Sequence, residues 1–139
     1  YGSFSATGML SYVRGENKTT GDNLYNIMPL NMKLALVQRV AGWTNTAEVE
    51  LVDDKTDVSE TRNELETGSY GLFHLRASRA WKQVRLDVGV ENVFDKFYNY
   101  PLGGAYLGQG KTMSGTDVPW GVAVPGMGRS IYTALTYKF

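Results

Sequence analysis

Polar and apolar residues alternate along six separated stretches of this chain. Residues 2–14 place Phe4, Ala6, Gly8, Leu10 and Tyr12 in one register, with Ser3, Ser5, Thr7 and Ser11 in the other. Residues 31–40 set Met32, Leu34, Leu36 and Val40 against Lys33 and Arg39, and residues 44–52 set Ala47, Val49 and Leu51 against Glu48 and Glu50. Residues 70–80 oppose Phe73, Leu75 and Ala77 to His74, Arg76 and Ser78. Residues 83–94 oppose Val84, Leu86, Val88 and Val90 to Arg85, Asp87, Gly89 and Glu91. The last stretch, 128–139, runs through Ile131, Thr133, Leu135, Tyr137 and Phe139 on one side. Successive strand side chains point to opposite faces, so this period of two predicts β-strands with one apolar and one polar face. No stretch keeps a helical period. The prediction is all-β, an antiparallel meander of about six strands forming one unit over 1–139.

The connections alternate in length. Residues 41–43 and 81–82 are short, whereas 15–30, 53–69 and 95–127 are long, polar and rich in Gly, Asn, Asp, Thr and Pro. Long structureless loops are uncommon in compact soluble domains. Short turns on one side and long loops on the other are the rhythm of outer-membrane barrels, where the apolar face meets lipid and the polar face lines the lumen. Aromatic residues mark both ends of the expected strands. Trp43 and Trp81 fall at the tight turns, with Tyr137 and Phe139; Tyr12, Tyr70, Phe94, Phe97 and Tyr98 fall at the loop end. Two aromatic girdles around an aliphatic band are what the interfaces of a bilayer select. A soluble sheet with its apolar side inward uses the same alternation, so this reading stands beside the membrane one.

Composition narrows the chemistry. Lys plus Arg and Asp plus Glu number 14 each, so net charge gives no reason to expect nucleic acid or anionic lipid as a partner. The chain has no cysteine and a single histidine, His74, which excludes thiolate sites and any site needing two imidazoles from it. No apolar run approaches the roughly 18 residues of a membrane helix. The first residue is Tyr1 and no leader pattern follows it, so the chain reads as a piece of a longer precursor.

Few constellations carry chemistry. Gly110-Lys111-Thr112 follows a glycine-rich run, but position 105, where a phosphate loop needs its first glycine, is alanine. The 53–69 segment holds Asp53, Asp54, Asp57, Glu60, Glu64 and Glu66, oxygens that a hard cation accepts, though without a calcium-loop spacing. Met28, Met113 and Met127 are soft donors that suit copper, at no fixed spacing. His74 lies mid-strand on the polar face with no nucleophile at a triad spacing, and reads as a hydrogen-bonded lumen residue. Neither a catalytic set nor a cofactor is expected; the chain is not expected to be an enzyme.

Gly89-Val90-Glu91-Asn92-Val93-Phe94-Asp95-Lys96-Phe97-Tyr98 resembles the GxxNLFDKxY element on the penultimate barrel strand of TonB-dependent outer-membrane receptors. Pro125-Gly126-Met127-Gly128-Arg129-Ser130 is similar to the PGxGRS start of that family's closing strand, which ends, as here at Phe139, on an aromatic residue. Leu24–Pro29 resembles the family's LPNIPP stretch and departs from it at Tyr25 and Met28. The resemblance implies the C-terminal part of a roughly 22-stranded transmembrane β-barrel, with the plug domain and earlier strands absent. It implies motif residues Gly89, Asn92, Phe94, Asp95, Tyr98, Gly128 and Arg129. Leu135, Tyr137 and Phe139 would form the signal read by the barrel-assembly machinery, and Trp43, Trp81, Tyr12, Tyr70, Phe97 and Tyr98 the aromatic girdles. The implied function is import of a scarce nutrient (a metal chelate, siderophore or cobalamin) across the bacterial outer membrane. Its partners would be outer-membrane lipid, TonB through the absent N-terminal part, and a nutrient bound by the long loops. The alternatives are another outer-membrane barrel, porin or enzyme, and a soluble lipocalin-like barrel with Leu34, Val49, Leu75, Val88 and Leu135 inward.

Overall fold

The computed structural model describes residues 2–60, 64–102 and 123–139. Six strands form one sheet: β1 (Ser3–Ser11), β2 (Asn31–Val40), β3 (Trp43–Val52), β4 (Tyr70–Ala80), β5 (Val84–Glu91) and β6 (Ser130–Tyr137). Their order in the sheet is their order in the chain, and each pairs antiparallel with the next. The sheet is open, with no pairing between β1 and β6. No helix occurs among the described residues.

Register turns the sequence alternation into two faces. Directly opposed residues share a face, so the ladder Gly8–Leu34–Val49–Phe73 runs across one side of β1 to β4. Leu75–Val90–Ile131 continues that side through β6. The other side carries Lys33–Glu50 and Glu48–His74 as opposed pairs. A one-residue slip in any strand would exchange its faces, so the matched registers hold the amphipathic pattern across the whole sheet.

The short connections follow from backbone geometry. Ala41 and Gly42 have φ of 49° and 80°, the pair of positive values a two-residue type I′ hairpin needs. Trp43 therefore starts β3 opposite Val40, one residue earlier than the alternation alone suggests. At the second turn, the Trp81 N–H donates to the Val84 carbonyl (2.7 Å). The remaining ends are trimmed mostly at the loop side, with one or two residues also lost at the turn side. The first strand, expected over 2–14, stops at Ser11, and a bridge between Glu16 and Asn23 closes a small loop of its own beyond it. The fifth, expected over 83–94, stops at Glu91 because Asn92 turns into the left-handed region at φ 49°. The sixth, expected over 128–139, spans Ser130–Tyr137.

No layer of described residues covers the apolar face. Leu10, Ile131 and Leu135 are 70%, 77% and 71% exposed. The small core lies on the opposite side, at the loop end, where Val52, Tyr70, Leu72 and Tyr98 are buried together with Met28 against them. Val52, Tyr70 and Leu72 occupy the polar register, so apolar residues take over that face where loops fold back over it.

Candidate functional site

The loop end of the sheet concentrates the ordered polar contacts, and Asn92 is their centre. Its side chain is almost completely buried. Oδ1 accepts the Lys96 N–H (2.8 Å), and Nδ2 donates to the carbonyls of Lys96 (2.9 Å) and Met127 (3.1 Å). Its own N–H donates to His74 Nδ1 (3.0 Å). Asparagine suits this post because it tolerates the left-handed region and its short amide can mimic a backbone turn.

Positions three apart continue the clasp. Gly89 stands opposite Tyr132, and a Cβ at 89 would overlap the Tyr132 ring. Asp95 Oδ1 accepts the Arg129 N–H (2.8 Å), and a Cβ at Gly128 would stand 2.9 Å from that same oxygen. A Cβ at Gly126 would overlap the Tyr98 ring, and the Gly126 N–H donates to the Tyr98 carbonyl (2.8 Å). Thus Gly89, Asn92, Asp95 and Tyr98 each engage the segment from Gly126 to Tyr132. The Asn99–Pro125 bridge and the Tyr100 N–H donating to the Val124 carbonyl close the base of the long loop above them. Both halves of the motif read from sequence thus join the two ends of one loop. Phe94 stacks on Phe73 of the apolar face, with ring centroids 5.8 Å apart.

A second network ties the three long loops together. Lys55 is buried; its Nζ binds Glu64 Oε1 and donates to the Pro101 carbonyl (2.7 Å). Glu64 also accepts the N–H groups of Asn26 and Ser59, each at 2.9 Å. Asp22 accepts from Ser59 Oγ (2.9 Å) and the Glu60 N–H (3.0 Å). The acidic segment at 53–69 therefore spends carboxylates on its own architecture; Asp54 likewise accepts the Ser69 N–H. Among the described residues no three His, Cys, Asp or Glu side chains form a metal-holding group.

The polar face carries paired charges. Glu50 Oε2 lies 3.4 Å from Lys33 Nζ and 3.9 Å from His74 Nε2, and Arg76 donates to Glu48 Oε2 (2.9 Å). Because His74 Nδ1 accepts from Asn92, a neutral imidazole keeps its proton on Nε2, toward Glu50. A line of contacts therefore runs from β2 through His74 to the clasp.

The aromatic residues divide differently from the sequence expectation. Trp43 and Trp81 flank Arg79 at the turn end, with its guanidinium carbon 5.5 Å and 5.2 Å from their rings. Tyr12 and Phe97 are exposed at the loop end. Tyr70 and Tyr98 do not join that girdle. They are buried on the polar side with ring centroids 4.6 Å apart, because Tyr70 falls in the polar register and the clasp lays Tyr98 over it. Burial, and then the hydrogen bond from its hydroxyl to Tyr100 (3.4 Å), push the Tyr98 hydroxyl well above the ordinary phenol range. Tyr137 and Phe139 meet edge to face at 5.3 Å, and Leu135 opposes Leu86 on the apolar face. Met28 packs against the buried cluster while Met127 is exposed, and Met113 and Gly110-Lys111-Thr112 lie outside the described residues. Asn31 and Arg79 went unremarked in the sequence. Arg79 was legible there, since it shares the odd register of Phe73, Leu75 and Ala77.

An open antiparallel meander with one aliphatic face, paired charges on the other and all long loops at one end is the architecture of a barrel-wall segment. Among solved structures the chain is similar to the copper transporter OprC, with a TM-score of 0.82 and 23% sequence identity. The match covers 98% of this chain and 21% of that one, so the chain spans about a fifth of its structural relative. At this identity the likeness is one of fold. No family model and no curated protein matches the chain.

Proposed function

We propose that this chain is a lipid-facing wall segment of a TonB-dependent type of outer-membrane receptor, its long loops helping to capture a scarce nutrient for import. The uncovered aliphatic face carries this reading. A sheet that leaves residues such as Leu10, Ile131 and Leu135 bare needs an apolar solvent or another layer, and no described residue supplies the layer. The paired charges behind it suit a lumen packed against polar protein, where buried charges need partners. The clasp supports the same reading, because its two halves are the two elements that resemble the receptor family. A lipocalin-like barrel would bury the apolar face by closing on itself, whereas β1 and β6 remain apart here.

A metal or metal chelate is the cargo class favoured by the likeness to a copper transporter. The network around Lys55 and Glu64 ties the described parts of the 15–30 and 53–69 loops to Pro101, which limits the ordering cost of these parts in capturing a ligand. The test is fractionation and uptake with the full-length protein. It is expected in the outer-membrane fraction, and cells lacking it are expected to accumulate less of one metal or chelate under scarcity. Recovery in the soluble fraction would overturn the wall assignment; unchanged accumulation of copper, iron chelates and cobalamin would overturn import.

A further inference from the structure

The apolar face carries one charged strand residue, Arg79. It faces Trp43 on β3 and Leu86 on β5, and its guanidinium lies against the Trp43 and Trp81 rings. No carboxylate among the described residues pairs with it. A cation on an otherwise aliphatic face is costly in hydrocarbon unless it reaches an interface or an anion.

Next to Arg79 along the strands, about 6.6 Å toward the loop end, the face is hollow. Asn45, Ala47 and Ala77 leave a cavity of about 430 Å³ walled by Phe4, Leu36 and Val88. At its Arg79 end two amides share that face, with Asn45 Nδ2 donating to Gln38 Oε1 (3.3 Å). The face therefore presents, in order along the strand axis, a cation between two indoles, a pair of amides, and an apolar trough. Phosphate, glycerol ester and acyl chain follow one another in the same order in a phospholipid.

Charge at this end of the sheet sets the headgroup. At this end Arg79 lies on the apolar face and Lys82 in the turn, whereas Arg39, Arg85 and, by alternation, Lys138 fall in the polar register; among the described residues Asp87 is the only side-chain carboxylate there. Asp87 is held by Arg85 on the opposite face. We infer that the trough between Arg79 and Leu75 seats one anionic phospholipid of the turn-side leaflet. Its phosphodiester takes the Arg79 fork between Trp43 and Trp81, and an acyl chain lies over Ala77 and Ala47. Arginine suits this post because its planar fork binds phosphate in two places while stacking on an aromatic face. This inference rests on the wall assignment proposed above.

The test is native mass spectrometry of the full-length protein in detergent, titrated with phosphatidylglycerol, with phosphatidylcholine and with inorganic phosphate. One phosphatidylglycerol is expected to bind in preference to phosphatidylcholine. Loss of a charge-assisted contact in Arg79→Gln should weaken it by about tenfold. Ala77→Leu keeps the cation but fills the trough, and should weaken phosphatidylglycerol while leaving Arg79 in place. Heat-modifiable gel mobility reports whether each variant is folded, so a variant that fails to fold is replaced by Arg79→Lys, expected to retain partial binding. Equal binding by wild type and Arg79→Gln, or no preference between the two lipids, overturns the proposal. Displacement of the lipid by millimolar inorganic phosphate also overturns it, because the site would then be one for free anions. These results leave the wall assignment standing; that assignment fails separately if the wild-type protein stays folded and monomeric without detergent.

Discussion

At Asn92 one side chain performs three tasks: it ends β5, turns the chain through φ 49°, and fixes the start of the final strand through the Met127 carbonyl. Asn92→Ala would strand the Met127 carbonyl and the Lys96 N–H, and would place a Cβ residue without local hydrogen bonds in the left-handed region. Buried unsatisfied groups cost about 1–3 kcal/mol each, so a loss of about 3 kcal/mol is expected in urea unfolding of the full-length protein in detergent. Asn92→Gly separates the causes. Glycine accepts the backbone conformation freely, so a variant with wild-type stability would mean that φ, rather than the hydrogen bonds, explains the asparagine. The hydrogen-bond account expects Asn92→Gly to recover only the conformational part, about 1 kcal/mol. The faces of most strand residues were legible in the sequence, because a period of two needs only neighbours. Asn92's partner at Met127 was not, since it lies 35 residues on and meets Asn92 only after the loop has doubled back. Tyr70 misled for the same reason, because its register is polar and the ring that covers it belongs to Tyr98.

At the scale of elements, the strands and the loops answer to different forces. Strand pairing and the two tight turns follow from alternation and from Ala41-Gly42, and their order needs no long-range information. The loops are held by the Lys55–Glu64 pair, which joins the 53–69 loop to Asn26 on one side and to Pro101 on the other. In composition those residues resemble any hydrated acidic loop, so their burial could not be read without the fold. Breaking a buried pair by removing one partner leaves an uncompensated charge and is strongly destabilising, whereas removing both is far milder. Lys55→Met should therefore release the loops without unpairing the strands. Limited proteolysis of 53–69 in the full-length protein is expected to accelerate by at least about tenfold, and the Lys55→Met, Glu64→Leu double variant to recover most of the protection. Unchanged cleavage in Lys55→Met would show that other contacts hold the loops.

At the scale of the whole molecule, the sheet is asymmetric in three directions at once. Its faces differ in polarity, its ends differ in charge and loop length, and its two edge strands, β1 and β6, have no strand partner on their outer sides among the described residues. Inside a closed barrel all three asymmetries are satisfied: lipid meets the apolar face, the turn and loop ends meet the two aqueous sides, and neighbouring strands pair with the edges. On the proposed reading, residues 1–139 produced alone would lack those neighbours and keep the bare face and the open edges. In water, edge pairing and apolar contact both favour association of copies, since the backbone groups on β1 and β6 are templates for another strand. Detergent covers the face but leaves the edges open, so it should restore solubility without restoring a single oligomeric state. Sedimentation of the isolated chain is expected to show large aggregates in buffer and a mixture of small oligomers in detergent, with strand-rich circular dichroism in both. A monomer that unfolds cooperatively in plain buffer would mean that the apolar face has found cover within the chain, and with it the lipid-facing role of that face would fall.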